Sequence, residues 1–409
     1  MAGDTFRGGA IETAGTLRPV ERGGGSPLIV RFFPKDGMKP KTIVLSINAS
    51  WNILNFRMGL IRALQAAGHR VVALAPADAW SERLSDAGVE YRPIEIDRQG
   101  LSPIRDLALL RRYWQALREI RPDVFLGYTA KPNVYGSLAA HALGIAVINN
   151  VSGLGTAFIR QGLLTRIVSA LYRRAFRRSS TVFFQNAEDR DLFVAKRIVV
   201  PSRARLLPGS GIDTTRFSPS GKPRPEGPFA FLLVARLLWD KGVREYVEAA
   251  RRVRSEAPEA RFRILGFLDV ENRTAVPRAE VEAWVAEGLI DYLGQADDVR
   301  PAIEDCDCVV LPSYREGLPR TLLEAAAMGR PIIATDVPGC RHVVEAEVNG
   351  LLCAARDPGS LAEAMLRMIR AGEERRSAWG RAGRERVERE FDERIVADRY
   401  VEAIEAAVP

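Results

Sequence analysis

Short apolar runs alternate with longer segments of helical periodicity along most of the chain. The run KTIVLSI (41–47) is bounded by polar residues, which is typical of a strand buried on both faces of a parallel sheet. The next segment, FRMGLIRALQAAGH (56–69), has apolar residues at helical spacing and reaches Gly68, a residue favoured just after a helix. This alternation predicts a doubly wound parallel sheet. The same pattern predicts the further strands RVVALAP, GVEYRPIEI, DVFLGYT, AVINN and TVFFQN, with helices at 103–120, 134–143 and 161–178.

The alternation stops at FSPSGKPRPEGP (217–228), where prolines and glycines are dense enough to predict a linker. It resumes beyond the linker, so the chain is predicted to form two α/β domains of similar size. The second set of predicted elements is FAFLLVA, RFRILG, DYLG, CDCVVLPS, PIIATD and GLLC, with helices from 242, around Glu324 and from 358. The pattern does not assign the last amphipathic helix, FDERIVADRYVEAIEAA (391–407), to either domain.

Length and composition agree with a two-domain globular protein. At 409 residues the chain is too long for one ordinary core, and 47% apolar with 27% charged residues is typical of globular proteins. Residues 1–37 are rich in Gly, Arg and Pro and lack the apolar core of a signal peptide, so they are predicted to be a disordered extension. The domains are then assigned to 38–218 and 219–390, with 391–409 as a C-terminal segment. Every apolar run is shorter than eighteen residues, which predicts that no segment spans a membrane.

The net charge of +8 is unevenly distributed. Residues 38–220 carry 26 Lys and Arg against 13 Asp and Glu, a net charge of +13, whereas residues 221–409 carry 28 against 34, a net charge of −6. A basic half joined to an acidic half indicates different partners, and nucleic acid or an anionic membrane surface are both open for the basic half. The four cysteines lack CxxC spacing, which favours a reducing compartment and a packing role.

One loop and the helix after it carry two carboxylates eight positions apart, in PSYREGLPRTLLEAAAMGRP (312–331). Glu316 lies among Pro and Gly residues after a predicted strand, at the edge where parallel sheets bind ligands. Glu324 lies about one turn into the helix, whose first N–H groups favour an anion such as a diphosphate. Carboxylates accept hydrogen bonds from sugar hydroxyls, so this arrangement suits a sugar nucleotide. A solvated loop acid and a helix-surface acid are the alternative.

A second segment, LLVARLLWDKGVREYVEAA (232–250), places two cations at a strand-to-helix turn on the same edge. Arg236 follows the strand and Lys241 opens the next helix, so together they suit a diphosphate leaving group without a metal. Two solvated surface cations are the alternative. The presence of both segments in one predicted domain favours the ligand site.

ARLLWDKG, LPSYREGLPRTLLEAAAMGRPIIATDVPG and GSGIDTTRFSP resemble signatures of the family 4 retaining glycosyltransferases of GT-B fold, and the resemblance extends over 41–405. It implies two Rossmann-like, doubly wound domains facing a cleft, with 391–409 crossing back onto the first domain. It also implies a UDP-sugar donor and neither metal nor other cofactor. Glu316 would contact the donor sugar, Glu324 would bind the ribose, and Arg236 with Lys241 would stabilise the departing diphosphate. Main-chain amides would hold sugar and phosphate at Gly317, Leu318, Arg320 and Thr321.

In the first domain, NILNFRMGLIRAL, KPNVYGSLAA and NNVSGLGTAF look most like enzymes that extend lipid-linked bacterial glycans, such as those that add N-acetylgalactosamine to a bacillosamine lipid. The loop NASWNILN lacks the paired glycines of many members, and GYTAKPN lacks their first-domain histidine. Asn133 is also a candidate helix N-cap. The acceptor-side residues implied by this resemblance are Lys131, Asn133, Gly153 and Gly155.

The segment GLLTRIVSALYRRAFRR (162–178) places apolar residues at helical spacing among five arginines. It either packs on the sheet or lies on an anionic bilayer, where each cation near the surface contributes about 1 kcal/mol. A polyprenyl-diphosphate acceptor is anionic and membrane-bound, so the second interpretation agrees with the charge of 38–220.

We therefore expect a retaining, metal-independent glycosyltransferase that moves a hexosyl or N-acetylhexosaminyl group from a UDP-sugar to a lipid-linked saccharide in bacterial glycan, O-antigen or capsule synthesis. It is expected in the cytoplasm, peripheral at the inner face of the plasma membrane, without a nucleic acid partner. Two alternatives stay open. One is a non-hydrolysing UDP-sugar 2-epimerase, which would need histidines and other acid/base side chains at the donor site, whereas the chain has only three histidines. The other is a catalytically degenerate binding subunit.

Overall fold

The chain folds into two α/β domains, each built around one parallel sheet. The computed structural model describes residues 39–97, 102–153, 162–221, 227–269 and 272–409. The disordered extension predicted at 1–37 lies outside these residues, as do Gly155 and the centre of the predicted linker.

Parallel strands form the sheet of the first domain. They are β1 (Thr42–Ser46), β2 (Arg70–Ala75), β3 (Glu90–Pro93), β4 (Val124–Tyr128), β5 (Ala146–Val151), β6 (Thr181–Phe184) and β7 (Ala204–Leu206). Their order in the sheet is β3-β2-β1-β4-β5-β6-β7. The central strands are buried almost throughout because helices cover both faces, which is why they appear in the sequence as apolar runs. The order reverses between β1 and β4, where the carboxyl ends of the strands open a crevice for ligands.

The helices of the first domain are α1 (Ser50–Phe56), α2 (Met58–Ala66), α3 (Ser81–Asp86), α4 (Pro103–Ile120), α5 (Ser137–Ala142), α6 (Leu163–Phe176) and α7 (Ala187–Ala195). The helix predicted at 134–143 is instead a π-helical turn, Pro132–Gly136, followed by α5. In this wider turn Asn133 reaches β5, where its Nδ2 donates to the Asn150 carbonyl at 2.9 Å and its Oδ1 accepts from Asn149. Asn133 is therefore an interior polar residue, and its interpretation as a helix N-cap is wrong.

The second domain repeats this architecture. Its strands are β8 (Ala230–Val234), β9 (Arg261–Leu265), β10 (Asp291–Tyr292), β11 (Cys308–Leu311), β12 (Ile332–Thr335) and β13 (Gly350–Cys353). Its helices are α8 (Val243–Glu256), α9 (Arg278–Ala286), α10 (Arg300–Glu304), α11 (Arg320–Ala327), α12 (Cys340–Val343), α13 (Pro358–Arg370) and α14 (Gly372–Glu390). The sheet order β10-β9-β8-β11-β12-β13 reverses between β8 and β11, so the loops after these strands border the ligand crevice. The predicted doubly wound α/β fold is confirmed.

The last helix, α15 (Glu393–Ala407), packs on the first domain. Tyr400 and Ile404 share one buried core with Leu45 of β1. Asp392, the N-cap of this helix, accepts a hydrogen bond from Thr214 Oγ1 at 2.6 Å. The start of α15 is therefore tied to the segment that leaves the first domain.

Candidate active site

The carboxyl edge of the second sheet carries the predicted donor residues. Arg236 and Lys241 follow β8, in the loop and short 3₁₀ turn before α8. Glu316 follows β11 in the loop that leads to α11, the helix that contains Glu324. Because β8 and β11 are hydrogen-bonded neighbours, these two loops lie side by side.

Lys241 and Glu316, predicted to act on the same ligand, form an ion pair. Lys241 Nζ lies 2.5 Å from Glu316 Oε1, and the two side chains are 22% and 13% exposed. Gly242 permits this approach, since its φ is +73° and a Cβ there would lie 2.0 Å from the carbonyl oxygen of Pro312. The turn that carries Lys241 therefore packs directly against the loop that carries Glu316.

A second ion pair holds Glu324. Arg320 Nε lies 3.0 Å from Glu324 Oε1, and both side chains are largely buried. Burial raises the pKa of Glu324 above its ordinary value, and the charge and hydrogen bond of Arg320 only partly offset this effect. The Arg320 guanidinium also lies 5.1 Å from the ring centroid of Phe56 in the first domain, so the pair borders the cleft. The sequence assigned Arg320 only through its main-chain amide, and its side chain is an addition to the site.

The N-terminus of α11 presents the backbone donors that the resemblance implies for sugar and phosphate. The helix begins at Arg320, so the N–H groups of Arg320 and Thr321 point out of its end. Thr321 Oγ1 donates to the carbonyl of Val234 at 3.1 Å, which fixes this end of the helix against β8. Leu318 packs on the second-domain core, whereas Gly317 faces the first domain.

Arg236 is separate from both ion pairs. Its side chain is exposed, and among the described residues no carboxylate lies within ion-pair distance of it. It follows β8 at the same edge of the sheet as Lys241.

On the first-domain side, Lys131 is already neutralised. Its Nζ lies 2.9 Å from Asp106 Oδ1 of α4, with the side chains 13% and 7% exposed. Asn133 is buried and bonded to β5, and Gly153 has a φ of +145°. Gly155 lies outside the described residues, and the acceptor roles of all four stay predictions. A cavity of about 380 Å³ beside the ion pair is lined in part by Glu95, Asp97, Arg105, Arg112 and Lys131.

First-domain residues that the sequence did not indicate contact the donor loop. Asn186 caps α7, where its Oδ1 accepts from the Asp189 amide at 2.8 Å. Asn186 Nδ2 donates to the Gly317 carbonyl at 3.1 Å, and Asp189 Oδ1 accepts from Arg315 Nη2 at 2.5 Å. The N-x-x-D spacing identifies a helix cap but gives no sign of a partner in the other domain.

The histidines do not converge on the donor residues. Burial lowers the pKa of His69 and of His141, whose Nε2 lies 2.9 Å from the Ala175 carbonyl. His342 Nε2 lies 3.1 Å from Glu188 Oε2 in the first domain. In the described part of the chain, no group of three or more His, Cys, Asp or Glu side chains is arranged to hold a metal ion. None of the helices described here is long and apolar enough to cross a membrane.

Two facing parallel-sheet domains, with cations, carboxylates and a helix N-terminus at the ligand edge of the second, have the architecture of the GT-B fold. Solved structures agree. A glycosyltransferase from Rickettsia africae ESF-5 superposes with a TM-score of 0.75 at 14% identity, covering 91% of this chain and 99% of that chain. HepE from Anabaena, in complex with UDP, superposes with a TM-score of 0.73 at 17% identity, covering 90% and 100%.

Sequence comparison identifies the family. Residues 55–210 match the "Glycosyl transferase 4-like domain" and residues 228–371 match "Glycosyl transferases group 1". The chain belongs to the family 4 glycosyltransferases, so the resemblance is confirmed and the protein is a hexosyltransferase.

Among its relatives is the N,N'-diacetylbacillosaminyl-diphospho-undecaprenol alpha-1,3-N-acetylgalactosaminyltransferase of Campylobacter jejuni. It is 27% identical over 378 residues, which cover 88% of this chain and 97% of that protein. Another is the UDP-Gal:alpha-D-GlcNAc-diphosphoundecaprenol alpha-1,3-galactosyltransferase of Escherichia coli, 24% identical, covering 66% of this chain and 72% of that protein.

Proposed function

We propose that the protein transfers a hexosyl or N-acetylhexosaminyl group from a UDP-sugar to a saccharide carried on polyprenyl diphosphate, with retention at the anomeric carbon and without a metal. The ion pair between Lys241 and Glu316 beside the N-terminus of α11 carries the proposal. A cation, free backbone amides and a carboxylate meet there, and a sugar diphosphate has a group for each. The relatives support the acceptor class, because both are named for diphospho-undecaprenol-linked sugars.

In this proposal different site residues bind different parts of the donor. Lys241, Arg236 and the amides of α11 bind the diphosphate, Glu324 accepts from the ribose hydroxyls, and Glu316 contacts the sugar. As the bond between the anomeric carbon and the phosphate oxygen breaks, negative charge grows on the diphosphate and the pre-organised cations stabilise it. The acceptor hydroxyl oxygen bonds to the anomeric carbon, its proton passes to the departing diphosphate, and UDP leaves.

A donor panel tests this function. The purified protein is incubated with UDP-glucose, UDP-galactose and their N-acetylamino counterparts, with bacterial lipid extract as acceptor and EDTA in a parallel series. We expect one donor to give a glycolipid whose new linkage keeps the donor's anomeric configuration by NMR, equally with EDTA. An inverted linkage or inhibition by EDTA would contradict the mechanism. Formation of an epimeric UDP-sugar without acceptor would favour the 2-epimerase alternative.

We also propose that the enzyme works on an anionic membrane surface, peripheral at the cytoplasmic face. The segment 162–178, predicted to contact the membrane, is less suited to that role than expected. Its Arg173, on α6, donates hydrogen bonds to the carbonyl oxygens of Lys196 and Arg197, so this guanidinium is already engaged within the protein. Helix α4 is better suited. Near its N-terminus, which lies at the ligand edge of the first sheet, Ile104 is 84% exposed and Leu107 is 67% exposed.

The exposed face of α4 combines apolar and cationic side chains. Trp114 is 36% exposed, with the Arg118 guanidinium 5.0 Å from its ring centroid, and Arg111 is exposed one turn before. At helical spacing these residues continue the line of Ile104 and Leu107. An interfacial helix places such side chains at the level of lipid headgroups.

Vesicle co-sedimentation tests this surface. We expect salt-sensitive binding to vesicles with anionic lipid that is lost in Leu107→Gln/Arg118→Gln, while UDP affinity is unchanged. The charge reversals Arg174→Glu, on α6, and Arg178→Glu, two residues after its end, are the comparison and should have the smaller effect although they change more charge. Equal binding of all three proteins at all salt concentrations would refute an electrostatic membrane contact, and a larger loss on α6 would return the contact to that helix.

A further inference from the structure

The first domain contacts the donor loop on both sides of Glu316. The residue before it, Arg315, donates to Asp189, whose side chain is 2% exposed. The residue after it, Gly317, accepts from Asn186 Nδ2 at 3.1 Å. Both contacts cross the cleft, and both come from the cap of one helix, α7.

The backbone at Glu316 is also enclosed sterically. A Cβ on Gly317 would lie 2.4 Å from the carbonyl oxygen of Ser152, just after β5 in the first domain. From the second domain, a Cβ on Gly339 would lie 2.6 Å from the Glu316 carbonyl oxygen, and the φ of Gly339 is +87°. The loop is therefore packed between the two domains, with glycines where the backbones approach most closely.

The first-domain side of this contact is held by hydrogen bonds of its own. Asn186 Oδ1 accepts from the Asp189 amide at 2.8 Å, and Asn186 Nδ2 lies 3.2 Å from Asp189 Oδ2. The two side chains therefore hold each other through interactions internal to α7, and the carboxylate sits at the positive end of the helix. A pre-organised partner can fix the loop with little further loss of its own conformational entropy.

We propose that Asn186 and Asp189 are positioning residues, which hold Glu316 in its working position when the cleft is closed. The donor diphosphate and ribose contact the second domain, so UDP binding does not require these contacts. Transfer does require them, because Glu316 must meet the sugar in a fixed geometry. The kinetic part of this inference rests on the proposed transfer reaction.

Arg315→Met is the principal test, because Arg315 is 38% exposed and its loss leaves the α7 cap intact. We expect kcat for sugar transfer to fall about 10- to 100-fold, since a displacement of about 1 Å at a reacting group costs up to about 100-fold. The Kd of UDP, measured by calorimetry, should be unchanged. Arg315→Lys should recover most of the rate because a cation again reaches Asp189. Arg251→Met, which breaks an ion pair with Glu287 inside the second domain, is the matched control and should behave as wild type.

A double-mutant cycle with Asp189→Asn extends the test. If the two side chains act through one contact, the double variant is no slower than the slower single variant. Small-angle X-ray scattering gives a readout that does not need a donor sugar, and Arg315→Met should have a larger radius of gyration than wild type and Arg251→Met. Wild-type turnover in Arg315→Met, or a loss of UDP affinity equal to its loss of turnover, would overturn the proposal. If the wild type transfers no sugar, the proposed function fails, and an unchanged radius of gyration would overturn the positioning role separately.

Discussion

Replacing Lys241 by methionine should lower turnover about 100-fold or more without unfolding the protein. Its Nζ lies 2.5 Å from Glu316 Oε1, in a pair whose members are 22% and 13% exposed. A pre-organised group that stabilises developing negative charge contributes about 2.7–4 kcal/mol, which corresponds to about 10²–10³ in kcat. The substitution removes that group from the leaving diphosphate and also leaves Glu316 without its counter-charge.

The loss of the counter-charge of Glu316 affects the stability of the fold. Two unit charges 4 Å apart attract by about 4 kcal/mol at an effective dielectric constant of 20. Desolvation of Lys241 and Glu316 offsets much of this attraction, and contacting residues couple by about 0.5–3 kcal/mol in practice. Glu316→Gln keeps the shape of the side chain and removes its charge. The double variant Lys241→Met/Glu316→Gln should therefore unfold at a higher temperature than Lys241→Met.

Release of UDP from the donor sugar measures turnover, and calorimetry measures the unfolding temperature. The turnover losses of the two single substitutions should not add, because both residues act on one donor at one step. Near-normal turnover of Lys241→Met at saturating donor would refute the leaving-group role. Additive losses, or a double variant less stable than Lys241→Met, would refute the coupling.

Three other substitutions probe separate parts of the molecule. Arg236→Ala should lower kcat about 100-fold and leave the unfolding temperature unchanged, because the side chain is exposed; equal turnover would remove it from the site. Glu324→Gln should weaken UDP about 10- to 100-fold by calorimetry, the loss of about 1.5–3 kcal/mol expected for a charged hydrogen bond; unchanged UDP affinity would remove Glu324 from the site. Asp392→Ala should cost about 1–2 kcal/mol in urea unfolding at neutral pH, as for other helix caps. Although burial alone would raise the pKa of Asp392, hydrogen bonds from Arg394 and Thr214 hold it below its ordinary value. Its stabilisation is therefore present above the unfolded pKa of about 3.9 and lost as pH falls through the folded pKa, so the difference from wild type should shrink in acid.

Most of the fold can be predicted because a parallel strand covered on both faces has little room for polar side chains. β4 and β8 are buried at every position and appear in the sequence as VFLGY and AFLLV. The π turn at 132–136 cannot be predicted in this way, because five residues of π geometry have nearly the apolar spacing of an α-helix. The contact of Asn133 with β5 accompanies this turn, and it is visible only in the tertiary structure.

The sequence predicts that the candidate donor residues share one edge of the sheet, but it does not predict which of them form ion pairs. Lys241 and Glu316 are 75 residues apart, and their meeting depends on the backbone of Gly242. The contacts of Asn186 and Asp189 with the donor loop depend on how the two domains face each other. No local pattern records that arrangement, so these residues look like an ordinary helix cap.

The ion pair of Lys131 has a signal in the sequence. Its partner Asp106 lies on the same face of α4 as Leu109 and Tyr113, which are buried. A carboxylate on an apolar helix face needs a counter-charge or hydrogen bonds, because burying it alone is costly. Lys131, the cation that follows β4 at the edge of the sheet, is placed to supply that counter-charge.

The two ion pairs of the donor site explain how an acidic half of the chain can bind an anion. Residues 221–409 carry a net charge of −6, but charges beyond about 8 Å are screened at physiological salt, so the local arrangement decides. A bound diphosphate competes with Glu316 for Lys241, and the displaced carboxylate then needs new donors. The hydroxyls of a sugar supply them, whereas free UDP supplies none at that position. If the donor is a UDP-sugar, as proposed, Glu316 should favour the intact UDP-sugar over UDP, whereas Glu324, paired with Arg320, should contribute equally to the binding of both.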